Sequence, residues 1–155
     1  MTRKLRWAGL LGVLVLAASL VACVNGGDDD ERGSSAERTA DPNRTITVTL
    51  GSPHEFAIGL SADTISAGEV NFEVTNGGAL PHQFVIVQHD GDPGSLPVGQ
   101  TAVDITQVEV LGESGDLDPG ASVTVTQDLE PGSYVIFSNM GGHYGAGMFT
   151  PFIVE

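Results

Sequence analysis

The sequence predicts an all-β domain over residues 45–155, an antiparallel sandwich of about eight strands. Three observations carry this expectation. Apolar residues come in short alternating runs, and no segment has an apolar stripe of 3.6-residue period. Turn residues separate the runs at Asn76-Gly77-Gly78, Asp92-Pro93-Gly94, Asp118-Pro119-Gly120 and Pro131-Gly132. The 155 residues include 21 glycines and only 17% charged side chains, a balance suited to turn-rich β structure. That length supports one domain of ordinary size, not two good cores.

The elements follow in order. Ile46, Val48 and Leu50 alternate with threonines, and Phe56, Ile58 and Leu60 alternate again. Val70, Phe72 and Val74 form the next run, after Ala67-Gly68. Phe84 to Val87 is apolar on both faces, which predicts a central strand covered on each side. Residues 90–100 are polar and rich in Gly and Pro, as in a long surface connection. Runs at 105–111, 123–129, 134–137 and 148–154 complete the set. Trp7 is the sole tryptophan and lies in the leader described next, so an immunoglobulin core built on Cys, Trp and Cys is excluded.

Ahead of the domain, Arg3, Lys4 and Arg6 precede an uncharged apolar run over residues 7–22. A membrane-spanning helix needs about 20 such residues, so the run has the length of a secretory leader. It ends in Leu20-Val21-Ala22-Cys23, which resembles a bacterial lipobox. That resemblance implies removal of residues 1–22, acylation of Cys23 and export to the extracytoplasmic face of the cell membrane. Residues 23–44 then read as a lipidated cysteine followed by a disordered acidic linker, too poor in apolar side chains to order itself.

Charge narrows the function. The chain has 6 Lys and Arg against 20 Asp and Glu, a net charge of −14, and the basic leader residues make the processed chain more acidic still. Residues 45–155 hold 14 acids and neither Lys nor Arg. Nothing there can displace counterions from phosphates, which excludes nucleic acid as a partner. Anionic lipid would repel the domain, leaving the anchor as its only membrane contact. A lone cysteine can form neither an internal disulfide nor a Cys-rich zinc site.

The candidate chemistry lies with the histidines. His54 and His89 sit in polar connections and read as exposed. His82 opens the strand after the 76–81 turn, and His143 lies in a Gly-rich loop between the last two strands. With Gly68 to Asn76, Pro81-His82, Leu129 to Tyr134, Gly142-His143-Tyr144 and Gly147-Met148, the domain resembles the bacterial cupredoxins with a long ligand loop. The resemblance covers nearly all of residues 45–155 and implies a Greek-key sandwich. In that family one copper ligand matches His82, and one loop supplies Cys, then His after four intervening residues, then Met after four more. His143 and Met148 match the last two, while Ser138 stands at the cysteine position.

This departure matters chemically. A blue copper site needs a thiolate, and a serine hydroxyl is a far weaker acid and a poor donor to copper(I). The remaining set is His82, His143 and Met148, with Met140 as a candidate second thioether, soft enough for copper(I) and tolerable for colourless copper(II). Competing readings place Met140 on the exposed rim and Met148 in the core, with the two imidazoles bonded to each other or to Ser138. Ser138 lacks a G-x-S-x-G setting and no acid is seen to orient His143, so no enzyme is expected. The leading expectation is a membrane-tethered protein that holds or hands over copper, with residual electron transfer less favoured. The alternative is a metal-free interaction module docking a basic or redox protein partner.

Overall fold

The computed structural model describes residues 44–155. The predicted leader (1–22), the lipidation site Cys23 and the linker up to residue 43 lie outside the described residues. Nine strands form the domain: β1 (Thr45–Leu50), β2 (Ile58–Leu60), β3 (Thr64–Ile65), β4 (Gly68–Asn76), β5 (His82–Gln88), β6 (Val110–Leu117), β7 (Ser122–Leu129), β8 (Gly132–Phe137) and β9 (Phe149–Val154). They make two sheets, ordered β2-β1-β4-β7 and β3-β9-β8-β5-β6. The all-β sandwich is therefore as predicted.

The sheets are mixed rather than purely antiparallel. β1 runs parallel to β4, with Thr45 opposite Asn71 and Leu50 opposite Asn76, and the two-residue β3 runs parallel to β9. Alternation specifies which face of a strand is buried but not the direction of its neighbour, so the sequence could not distinguish these pairings.

Ile46, Val48, Leu50, Val70, Phe72, Val74, Phe84, Ile86, Tyr134, Ile136 and Phe152 fill the space between the sheets. A second cluster lies on the outer face of the five-stranded sheet, where Val85, Val87, Val135 and Phe137 meet Leu96, Val103 and Tyr144. β5 is thus apolar on both faces because it is covered on both. The outer cover is the connection between β5 and β6, which departs from two expectations. Residues 105–109 belong to this connection and not to a strand, and Leu96 and Val103 within it are buried. Their side chains shield Val85 and Val87, which would otherwise face water.

Arg44 belongs to the folded unit. Its Nε donates to the Glu69 carbonyl at 2.6 Å and its guanidinium also donates to the Ser66 carbonyl at 3.0 Å. This ties the start of β1 to the turn that opens β4.

Candidate metal centre

The site sits at one end of the core, and the period of a β-strand puts it there. Side chains two apart share a face. Phe84 and Ile86 point into the core from β5, so His82 shares their face. Tyr134 and Ile136 do the same on β8, and the next inward position is Ser138. Phe152 and Val154 point inward from β9, and the same count back along the strand reaches Met148. The β8–β9 pairing continues past Phe137 and Phe149 as Ser138 N–H donates to the Met148 carbonyl at 3.1 Å. His82, Ser138 and Met148 are each wholly buried, and His143 is 8% exposed.

The loop between β8 and β9 folds back to deliver His143. Its N–H donates to the Met140 carbonyl at 3.0 Å, and its carbonyl accepts from Met148 N–H at 3.0 Å and Ala146 N–H at 3.1 Å. Gly142, with φ of 87°, makes the reversal just ahead of the histidine in a conformation that side chains rarely adopt. Asn139 and Tyr144 fasten the loop from either side. Asn139 Oδ1 accepts from Val103 N–H at 2.8 Å, and the Tyr144 hydroxyl donates to the Pro93 carbonyl at 2.6 Å while accepting from Leu96 N–H at 3.0 Å.

His82 and His143, 61 positions apart in the chain, meet with their Nδ1 atoms 3.2 Å from each other. Ser138 Oγ lies 3.1 Å from His143 Nδ1 and accepts from Gln83 N–H at 3.1 Å. Phe56 packs edge-on against His143, with ring centroids 5.2 Å apart. The structure brings His82, His143 and Met148 into contact. Met140 contributes its carbonyl to the loop, and its side chain is half-buried.

Glu55 is the residue that sequence reasoning missed. His82 Nε2 lies 3.0 Å from Glu55 Oε1, on the side of the ring away from His143. The same carboxylate accepts from Ala79 N–H at 3.0 Å and Leu80 N–H at 2.9 Å, so it caps the turn that leads into β5. Those two backbone bonds, and then the bond from His82, hold the Glu55 carboxyl below the usual range. Glu55 thus supplies an acid that orients His82, on the side of that ring away from His143. Gly78 makes the close approach possible, because a Cβ there would lie 2.6 Å from Glu55 Oε1 and 2.7 Å from His82 Nε2.

Asn76 stitches the surroundings together. Its amide donates to the carbonyls of Leu80 at 2.8 Å and Leu117 at 2.7 Å, and its Oδ1 accepts from Gly78 N–H at 2.9 Å. The other two histidines stand apart from this cluster. His54 is exposed as expected, but His89 is half-buried because its Nε2 reaches the Asp92 carbonyl and Ser95 Oγ across the turn.

Electrostatics favour neutral imidazole at His143. Burial pushes its pKa below the ordinary value, and His82 nearby pushes it the same way. A neutral ring offers a lone pair. Two nitrogens bound to one ion at about 2.0–2.1 Å and a near-tetrahedral angle lie about 3.3 Å apart, so the observed 3.2 Å fits two ligands of one ion as well as a hydrogen bond. Among the described residues, no group of three or more His, Cys, Asp and Glu is placed to hold an ion. What clusters here is two imidazoles and a thioether, groups of the softness that suits copper.

A two-sheet sandwich whose core ends in paired imidazoles, a thioether and a hydroxyl has the cupredoxin-like fold, with Ser138 beside the His143 ring. The described fold matches reduced auracyanin from Roseiflexus castenholzii with a TM-score of 0.57 and 25% identity, over 72% of this chain and 97% of that one. Auracyanin A from Chloroflexus aurantiacus, a "blue" copper protein, matches with a TM-score of 0.52 and 20% identity, over 72% and 98%. Rusticyanin from Thiobacillus ferrooxidans matches with a TM-score of 0.51 and 21% identity, over 72% and 76%. No protein-family model matches the sequence, and no curated protein does.

Proposed function

We propose that this protein holds copper at a thiolate-free site formed by His82, His143 and Met148, and keeps or passes on the ion. One observation carries the reading: two buried imidazoles from distant parts of the chain present their Nδ1 atoms to each other at ligand spacing. Copper, when bound, supplies a one-electron couple. The chain's own residues do the rest: Glu55 and Asn76 fix the His82 side, the 138–148 loop carries His143 and Met148, and Phe56 helps keep water away. Without a thiolate the site is colourless rather than blue, and rapid electron transfer is not its main task. Ser138 is wholly buried and accepts a backbone hydrogen bond, so no nucleophilic role is assigned to it.

The test is titration of the full chain with copper(I) and with copper(II). One site per chain is expected, abolished in both His82→Ala and His143→Ala. Uptake by the wild type no tighter than by the double variant rejects the reading. A metal-free interaction module is the second reading. It is favoured by a specific observation: the two imidazoles already satisfy each other and Ser138 without an ion, and no buried side-chain N or O among the described residues lacks a partner. Under that reading the acidic domain docks a basic partner by charge.

Export and lipid anchoring at Cys23 form part of the proposal, supported by the basic start, the apolar run and Leu20-Val21-Ala22-Cys23. The wild type should partition into the detergent phase and Cys23→Ala into water. Equal partitioning of the two rejects the anchor.

A further inference from the structure

We propose that Glu55 is the positioning residue of this site and stands in electrostatically for the missing thiolate, an inference that rests on the copper reading above. A carboxylate bound to two backbone N–H groups can only accept, so His82 Nε2 at 3.0 Å carries the proton in their hydrogen bond. With the ring neutral, the proton on Nε2 leaves Nδ1 bare and aimed at His143 Nδ1. The proton between the two Nδ1 atoms then belongs to His143. A hydrogen-bonded carboxylate behind a ligand histidine also raises the donor strength of the opposite nitrogen.

Charge gives Glu55 its second role. Two imidazoles, a thioether and a hydroxyl bring no negative charge to a bound cation. Glu55 is the carboxylate in contact with the donor set, one ring-width behind Nδ1. It balances a single positive charge, so copper(I) sits in a neutral assembly and copper(II) leaves one charge uncompensated. Coulomb energy scales with the charge of the ion, so loss of the carboxylate weakens the divalent state about twice as much in free energy. A residue that only held the turn in place would weaken both states by the same factor.

Glu55→Gln separates these roles. The amide keeps the shape and a carbonyl for His82 Nε2–H, and Glu55 is partly exposed, its side chain retaining 31% of its accessible surface, so the fold should tolerate the change. In the full chain, competition titration should show copper(I) affinity falling about tenfold and copper(II) about a hundredfold. The copper couple then rises by about 59 mV, the tenfold difference at one electron. Equal losses for the two states, or no loss, overturn the inference. Nitrogen-15 NMR of the metal-free wild type supplies a second readout. A His82 ring protonated at Nε2 supports the positioning role, and one protonated at Nδ1 overturns it. If the wild type takes up no copper, the proposed function fails together with the charge role, while the NMR result still decides the positioning role.

Discussion

Ser138 sits between the start of β5 and the loop that carries His143. Its Oγ accepts from Gln83 N–H and faces His143 Nδ1, each at 3.1 Å, and the residue is wholly buried. In Ser138→Cys a thiol would have the same neighbours, and copper lowers a thiol pKa readily. The variant should therefore turn intensely blue with copper(II), read as a strong visible band absent from the wild type. Copper uptake without colour would mean that this side chain does not face the ion. The positions of His82, Ser138 and Met148 were legible through the family resemblance of their motifs, and the structure adds that they keep the two-residue period of the core strands they extend. Glu55 was not. It lies 27 positions from His82 in an irregular connection, and only the folded turn at Gly78 brings carboxylate and imidazole together.

Strands whose apolar residues alternate were recognisable, since burial of one face imposes that alternation. β3 escaped notice because two residues cannot display a period, and β6 was placed too early because Ile105 and Val108 lie near its start. Ile105 is in fact 47% exposed, and Val108 packs against the outer cluster from the connection. That connection is held to the ligand loop through Tyr144, whose hydroxyl engages both Pro93 and Leu96. Tyr144→Phe keeps the ring but leaves the buried Leu96 N–H without its acceptor. It should cost about 1–3 kcal/mol of stability in chemical denaturation, and limited proteolysis should cut the 89–109 connection sooner. A loss below a few tenths of a kcal/mol would mean that water replaces the hydroxyl.

Across the whole domain, one charge sign prevails. Residues 44–155 carry 14 acids against Arg44 alone, a net −13 with the histidines neutral, and Arg44 already serves two backbone carbonyls. Self-repulsion of this size opposes compaction. Raising ionic strength from about 10 mM to about 150 mM shortens the Debye length from about 30 to about 8 Å, so the melting temperature at pH 7 should rise with added sodium chloride. A fall on salt addition would point instead to favourable charge pairing.

The length of β1 separates two features of the domain. β1 starts beside Arg44 and Gly68 and ends where Gly51 approaches the His82 ring, so its six residues span the body of the domain, about 20 Å. The start of β1 and the His82 imidazole therefore lie at opposite ends of this strand, and a substitution beside Arg44 acts far from the candidate metal centre.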